Sequence, residues 1–302
     1  MYYKILILIL LILSILSLAI QIFNNKHFHL LKTQWFYSRG LLNDNLKQWE
    51  LTFGYWNKNT KSYKQAAQNL YDRLFSQMNI KKSSIVVSVG CGMGNELIYL
   101  YKKYRPKKII GIDITFQHVI RGRNIVKKQG LSNKIKIIHG SGTDLNKYIK
   151  PNSVTHVYTI EAINNMPSFK DFINGSNNIL VKNGILAFCD GFQYKIHRDI
   201  ISSILTFLIA LSWSCHLSND RTFNDLLEDL HKTGFKTQKV IDISKNVWKG
   251  YCDYKIKYYT EDIKNRNSLL YAHIFKWINQ YLYYYTQKYD TKYLIYIGKK
   301  IN

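Results

Sequence analysis

Residues 83–100, SSIVVSVGCGMGNELIYL, are the most informative stretch of this 302-residue chain. An apolar run typical of a buried strand leads into Gly90, Gly92 and Gly94, and the residues that follow have the composition of a helix. Glycine lets the backbone turn sharply and lets a ligand approach it with no Cβ in the way. The stretch therefore predicts a strand, a tight loop beside a ligand, and a helix.

The rest of the chain repeats this alternation of strand and helix. Further runs rich in Ile, Val, Phe or Tyr predict strands at residues 108–113, 134–140, 154–160, 184–191, 234–243 and 292–298. Helix-length segments lie between them at residues 95–104, 117–129 and 168–181. This order predicts an α/β fold with a seven-stranded, doubly wound and mostly parallel sheet.

An acid stands where such a sheet binds adenosine-bearing ligands. Asp113 ends the second predicted strand, nineteen residues after Gly94, and can accept hydrogen bonds from two ribose hydroxyls there. The glycine spacing is G-x-G-x-G, with Asn95 at the third glycine of a dinucleotide fingerprint. A nicotinamide oxidoreductase is therefore the weaker interpretation.

The glycine loop resembles the first motif of the class I S-adenosylmethionine-dependent methyltransferases. That motif is Leu-Asp-Val-Gly-Cys-Gly-x-Gly, and this chain has VSVGCGMG. The resemblance implies a Rossmann-like methyltransferase fold and S-adenosylmethionine as cofactor, held at Gly90, Gly92 and Gly94. Ser88 replaces the acid that orients the methionine part of the cofactor in the family.

The next two motifs continue the resemblance. Asp113 matches the family's ribose-binding acid, followed by Ile114, and the third strand leads into GSGTDL, which is similar to the family's adenine-binding segment. Gly142 and Thr143 are the implied backbone contacts. Ser141 stands where the family usually has an acid.

The fourth strand ends in TIEAINNM, which resembles the family's Ser-x-Glu-Ala-x-x-His motif. Glu161 falls on its acid, so we predict that Glu161 is catalytic: it orients the acceptor, takes its proton or stabilises a forming cation. The alternative is a structural role as a cap of the following helix.

Residues 48–75 resemble the segment ahead of the fold in methyltransferases of the sterol, tocopherol and sugar-methylating type. Tyr55 in this segment is predicted to hold the sulfonium by cation–π attraction, with an aromatic staple for the core as the alternative.

The amino-terminal residues have a different composition. Residues 5–23 carry no charge and are long enough to cross a hydrocarbon layer of about 30 Å, which predicts a transmembrane helix, with a cleaved signal peptide as the alternative. Basic residues after this segment favour a cytosolic body. We therefore expect an anchor at residues 1–23, a linker and helical cap at 24–80, and a methyltransferase domain at 81–302 with a lid at 192–233.

Composition excludes several classes. With 46% hydrophobic and 21% charged residues, the chain is neither disordered nor a polytopic membrane protein. The net charge of +24 accompanies a bias typical of A+T-rich genomes, with 3 Pro and 24 Tyr, so it does not by itself indicate nucleic-acid binding. No cluster of Cys, His or carboxylate residues has the spacing of metal ligands, and no metal is predicted.

These observations predict a membrane-anchored methyltransferase that methylates a small, lipidic or hydrophobic acceptor by direct SN2 transfer. Its partners would be that acceptor and, through the amino-terminal helix, a membrane. A nucleic-acid methyltransferase is disfavoured because the fourth strand is not followed by Asp/Asn-Pro-Pro-Tyr. Because of Ser88 and Ser141, a catalytically degenerate binding protein stays open as an alternative.

Overall fold

The computed structural model describes residues 51–195, 222–265 and 269–301. They contain a seven-stranded sheet in the order β3-β2-β1-β4-β5-β7-β6. In chain order the strands are β1 (Ile85–Val89), β2 (Lys108–Asp113), β3 (Ile135–His139), β4 (Val154–Ile160), β5 (Leu180–Phe192), β6 (Phe235–Asp242) and β7 (Lys292–Lys300). Strands β1 to β5 are parallel, and β7 runs antiparallel to both of its neighbours. The predicted sheet is confirmed.

Helices cover both faces of this sheet. They are α1 (Tyr63–Phe75), α2 (Asn95–Tyr104), α3 (Phe116–Lys128), α4 (Phe169–Ile179), α5 (Phe223–Lys232), α6 (Trp248–Asn265) and α7 (Leu269–Lys288). One apolar cluster joins α1 and α2 to one face of the sheet, and a second joins α4 and α5 to the other. The central strands are therefore buried on both sides, which explains their continuous apolar runs.

One boundary differs from the prediction by more than two residues. The helix expected at residues 168–181 ends at Ile179, because Leu180 has extended backbone and pairs with Val154 of β4. Strand β5 thus begins four residues earlier than the predicted 184 and includes a register shift opposite Val154 and His156. The apolar character of residues 179–181 suits a helix and a buried strand equally.

Three central strands end side by side. Val89 of β1 pairs with Ile112 of β2 on one side and with Thr159 of β4 on the other. The loops that follow these strands therefore meet at one edge, outside the carboxyl ends of the strands, where open α/β sheets bind ligands.

Three predicted segments lie wholly or partly outside the described residues. These are the anchor at residues 1–23, residues 24–50 of the linker and helical cap, and residues 196–221 of the lid. Within the described ranges, no helix combines the length and the apolar character needed to cross a membrane.

Candidate active site

The glycine loop after β1 is shaped by backbone that other residues rarely adopt. Gly90, Gly92 and Gly94 have φ values of +73°, +51° and +77°. A Cβ on Gly90 would lie 2.4 Å from the Cβ of Ala162, which follows β4, so only glycine lets the two loops approach this closely. A Cβ on Gly92 would meet only a Leu51 side-chain carbon at 3.9 Å, so this glycine faces open space. The backbone of this loop therefore lines a cavity and is accessible to a ligand there.

Asp113 fixes this loop to β2. Its carboxylate accepts a hydrogen bond from the Gly92 N–H at 2.7 Å and another from the Thr115 N–H at 2.8 Å. The Nδ1 atom of His118, on α3, lies 3.3 Å from the same carboxylate. Asp113 is only 7% exposed, yet it lines the cavity. It therefore orients the glycine loop and presents a negative charge to the cavity.

Glu161 directly follows β4 and lines the same cavity. The Thr52 hydroxyl donates a hydrogen bond to its Oε1 at 2.9 Å, and the Phe53 N–H donates to both carboxylate oxygens at 2.9 Å. The Tyr293 hydroxyl, from β7, donates a third bond to Oε1. We call residues 51–56 the strap, since Glu161 holds this segment over the cavity that Leu51 and Thr52 help to line.

Glu161 also has unusual backbone and an unusual pKa. Its φ of +54° is rare for a residue with a Cβ and is held by the bond from its N–H to the Cys189 carbonyl at 2.9 Å. Burial raises the pKa of its carboxyl to about 8, and the hydrogen bond from Tyr293 opposes this rise. A carboxyl with this pKa exchanges a proton near neutral pH, as a general acid or base must.

The helix-capping alternative for Glu161 does not match these contacts. Helix α4 has Ser168 as its N-cap, and the Ser168 side chain accepts from the Asp171 N–H. Asn164, which follows Glu161, binds Asp190 at the end of β5 at 2.8 Å instead. Burial raises the pKa of Asp190 to about 6.

A further carboxylate lies beyond the glycine loop. Glu96, in the first turn of α2, accepts a hydrogen bond from Ser88 Oγ at 3.2 Å. Both side chains are buried, at 7% and 2% exposure, and both line the cavity. Ser88 is where the sequence motif of the family has its acid.

The loop after β3 closes the cavity on its third side. Gly140, Ser141 and Gly142 line it, whereas Thr143 lies behind them and bonds to Ser141 Oγ through its own hydroxyl at 2.8 Å. A Cβ on Gly142 would lie 2.4 Å from Val89 Cγ1, so this loop packs directly on β1. Ile114, after Asp113, lines the same space.

The described lining of the cavity is rich in acidic side chains, unlike the protein as a whole. Glu96, Asp113 and Glu161 all line it, while no lysine or arginine does among the residues that the structure describes. The whole chain carries +24. A concentration of carboxylates in a strongly basic protein favours a cationic ligand.

Most of the predicted site residues therefore meet at one cavity. Its lining includes Gly90, Gly92, Gly94, Asp113, Ile114, Gly142 and Glu161. Tyr55 is not part of that lining within the described chain and packs against the buried core cluster. Its sulfonium contact stays a prediction. No potential metal-binding cluster of His, Cys, Asp and Glu occurs in residues 51–195, 222–265 or 269–301.

The sequence motifs alone did not reveal three contributors to this site. Thr52 and Tyr293 reach Glu161 from opposite ends of the chain, so no local spacing connects them to it. The sequence did not mark Glu96 as a site residue, because an acid in the first turn of a helix is ordinarily explained by its interaction with the helix dipole.

Comparison with known proteins gives one family. The model of the mycolic acid cyclopropane synthetase family matches residues 24–203, which is more than half of the chain. Erythromycin 3''-O-methyltransferase from Saccharopolyspora erythraea is 24% identical over 231 residues, 74% of each protein. A sterol 24-C-methyltransferase from Gibberella zeae is 30% identical over 127 residues, which cover 42% of this chain and 32% of that protein.

A solved structure shows the same fold. The cyclopropane synthase MmaA2 from Mycobacterium tuberculosis superposes with a TM-score of 0.67 at 12% identity, over 83% of this chain and 90% of that chain. Together with the glycine loop, the acid after β2 and the family match, the fold identifies the chain. It belongs to the mycolic acid cyclopropane synthetase family of class I S-adenosylmethionine-dependent methyltransferases.

Proposed function

We propose that this protein transfers the methyl group of S-adenosylmethionine to a small, lipidic acceptor. The observation that carries the proposal is the cavity lined by Glu96, Asp113 and Glu161 with no lysine or arginine in its described lining. S-adenosylmethionine carries a sulfonium and an ammonium group, and a lining with acidic side chains and no basic one suits such a cation. The cradle left by Gly92, where a Cβ would face open space, suits a ligand in contact with the backbone.

The residues present have distinct tasks in this proposal. The glycine loop and Asp113 would hold the adenosine part, with the carboxylate of Asp113 toward the ribose hydroxyls. When bound, the cofactor would supply an activated methyl group to the acceptor. The protein then has to align the acceptor within about 3 to 3.5 Å of the methyl carbon and exclude water.

Glu161 and the strap would act on the acceptor side. The strap covers the cavity through its contacts to Glu161, which supports a role in excluding water. With a pKa raised to about 8 by burial, the Glu161 carboxyl can take the proton that an acceptor loses, or bind a polar group of the acceptor. Either role needs the carboxylate to lie next to the acceptor, and its place in the cavity lining supports that.

A lipidic acceptor is supported by the relatives and by the lining. The matching family is named for cyclopropane synthesis on mycolic acids, and one relative methylates sterols at carbon. Ile160, Ala162, Met166 and Pro167 give the Glu161 side of the cavity an apolar surface. Apolar surface of this kind gains free energy by burying a hydrocarbon acceptor.

We further propose that residues 5–23 anchor the protein in a membrane, with the methyltransferase domain on the cytosolic side. The uncharged length of this segment and the basic residues after it support this placement. Attraction of a +24 protein to anionic lipid would bring the domain to the membrane surface that contains its acceptor.

The test uses the full-length chain purified in detergent. Methyl-labelled S-adenosylmethionine and total lipid extract are added, and labelled lipids are separated by chromatography. The proposal predicts a labelled lipid product with wild type and at least tenfold less with Glu161→Gln, while the exposed-site control Lys102→Gln keeps full activity. Cofactor binding with no labelled lipid, but with labelled polar small molecules, would contradict the lipidic acceptor.

A further inference from the structure

The connection between β6 and β7 is far longer than the sheet requires. The two strands are antiparallel neighbours, and Asp242 at the end of β6 pairs with Leu294 near the start of β7. A hairpin loop of about two to five residues can join such strands. Here residues 243–291 lie between them and contain α6 and α7. This insertion is therefore not needed to form the sheet.

The insertion leaves the sheet at the edge where the cavity lies. Because β7 is antiparallel to both β5 and β6, the ends of β5 and β6 lie at the same edge, and Phe192 at the end of β5 pairs with Lys292 at the start of β7. The ring of Trp248, at the start of α6, packs edge-on against Phe53 of the strap, with ring centroids 5.1 Å apart. The insertion thus lies beside the strap that covers the cavity.

Helix α7 has one buried face and one exposed face. Leu282 and Tyr285 are buried, and the side-chain amide of Gln193, which follows β5, donates a hydrogen bond to the Tyr285 hydroxyl at 2.9 Å. Trp277 and Tyr284 lie two turns apart on the other face. At 57% and 54% exposure they are the two most exposed large hydrophobic side chains in the part of the chain that the structure describes. The exposed face of α7 is therefore aromatic.

Basic groups accompany these rings. Tyr281 stacks on Trp277 with ring centroids 5.6 Å apart, and the Lys288 ammonium lies 5.7 Å from the centre of the Tyr284 ring. Helix α7 contains Lys276 and Lys288 and no Asp or Glu. Trp and Tyr rings favour the boundary between hydrocarbon and water, and lysines are attracted to anionic headgroups. This composition is typical of a helix face that lies in a lipid surface.

We propose that the exposed face of α7, formed by Trp277, Tyr281, Tyr284 and Lys288, binds the surface of a bilayer that contains anionic lipid. The choice of a bilayer rests on the proposed function, because a lipidic acceptor has to reach the cavity from a membrane. A second copy of the chain is disfavoured, since a symmetric contact would bring the lysines of two such faces together. Binding through α7 would place the strap and the cavity next to the lipid.

Quenching of Trp277 by brominated lipid tests this contact. The full-length protein is reconstituted in vesicles of phosphatidylcholine and phosphatidylglycerol with bromine on the acyl chains, and in the same vesicles without bromine. The fluorescence difference between wild type and Trp277→Phe belongs to Trp277, and bromine should quench it. The control is Ile301→Trp in the Trp277→Phe background. Ile301 is 45% exposed and follows β7 at the opposite edge of the sheet, so a tryptophan there should not be quenched.

A matched pair of charge reversals tests the role of the lysines. Lys276→Glu combined with Lys288→Glu should reduce the quenching of Trp277 about threefold or more, because the face then repels anionic lipid. Lys127→Glu combined with Lys128→Glu makes the same change in net charge at the far end of α3, where both lysines are exposed, and should leave the quenching unchanged. Thermal unfolding of each variant shows that it is folded.

The outcomes separate this surface from the proposed function. No quenching of Trp277, equal quenching of Ile301→Trp, or equal effects of the two charge reversals would overturn the role of α7. A dimer in detergent that Trp277→Ser dissociates would assign the face to a second copy and overturn it as well. Labelled lipid formed without quenching of Trp277 would leave the proposed function standing and this inference refuted. Quenching as predicted without any labelled lipid would support the α7 surface and contradict the lipidic acceptor.

Discussion

The hydroxyl of Thr52 donates a hydrogen bond to Oε1 of Glu161 over 2.9 Å, although 109 residues separate the two in the chain. Tyr63 strengthens this contact from the other side, because its hydroxyl donates to the Thr52 carbonyl. The strap is thereby tied both to the sheet and to α1. Closure of the cavity is thus coupled to the carboxyl that we propose acts on the acceptor.

Removal of the Thr52 hydroxyl should loosen the strap. Thr52 is 5% exposed, so Thr52→Val leaves the Glu161 carboxyl with one donor fewer in a buried place. We expect a loss of about 1 to 3 kcal/mol in the free energy of unfolding, measured in urea. The control is Ser76→Ala, at an exposed hydroxyl that donates to the Arg73 carbonyl, where the change should stay within about 0.5 kcal/mol. Equal effects of the two substitutions would contradict the coupling.

Two glycines with a similar positive φ allow the cost of steric contact to be separated from the cost of backbone strain. Gly90 has φ +73° and a Cβ there would lie 2.4 Å from Ala162 Cβ, whereas Gly130 has φ +68° and open space around it. Gly130→Ala should cost about 1 kcal/mol through backbone strain alone. Gly90→Ala should cost about 1 to 3 kcal/mol more through overpacking. Thermal unfolding measures both.

A second substitution checks the origin of that difference. Gly90→Ala combined with Ala162→Gly removes the clashing Cβ and should return most of the additional loss at Gly90. If the double variant is no more stable than Gly90→Ala, contact between the two loops does not explain the glycine.

The raised pKa of Glu161 predicts a definite pH dependence of stability. Its pKa is about 8 in the fold against an ordinary value of 4.5, so the folded state holds the proton more tightly. The resulting stability is complete below pH 4.5 and is lost as pH rises through 8. Wild type should therefore lose about 4 kcal/mol relative to Glu161→Gln between pH 5 and pH 8.5. Urea unfolding at the two pH values measures this, and a constant difference would refute it.

The same carboxyl should respond to the charge of the cofactor. A bound sulfonium favours ionised Glu161, whereas S-adenosylhomocysteine has a neutral sulfur. At pH 7, S-adenosylmethionine should release more protons on binding than S-adenosylhomocysteine does. Calorimetry in two buffers of different ionisation enthalpy measures the proton release. In Glu161→Gln the difference between the two ligands should disappear, and its persistence there would exclude Glu161 as its source.

The sequence predicted the sheet because the fold repeats a strong local pattern. The seven apolar runs end at glycine or polar residues. Each strand can therefore be recognised from its local sequence, without knowledge of distant contacts. Leu180 shows where the pattern fails: its apolar side chain fits a helix as well as a strand, and only its pairing with Val154 selects the strand. Tertiary contact overrides local preference at that boundary.

The site was predictable in part for the same reason. The residues of the glycine loop, Asp113 and Glu161 stand at strand ends, and parallel strands bring those ends together. The bonds from Thr52 and Tyr293 to Glu161, and from Ser88 to Glu96, depend on packing between distant elements. No spacing in the sequence expresses those contacts, so the strap and the third carboxylate emerged only from the structure.

The most direct test of the central claim is calorimetric titration of S-adenosylmethionine into the full-length protein and its Asp113→Ala variant. Asp113 accepts bonds from Gly92 and Thr115, so circular dichroism and thermal unfolding must first show that the variant is folded. The account predicts micromolar binding by wild type and at least a hundredfold loss in the variant. Equal binding by both folded proteins, or no binding by folded wild type, would contradict a cofactor site at the carboxyl ends of β1, β2 and β4.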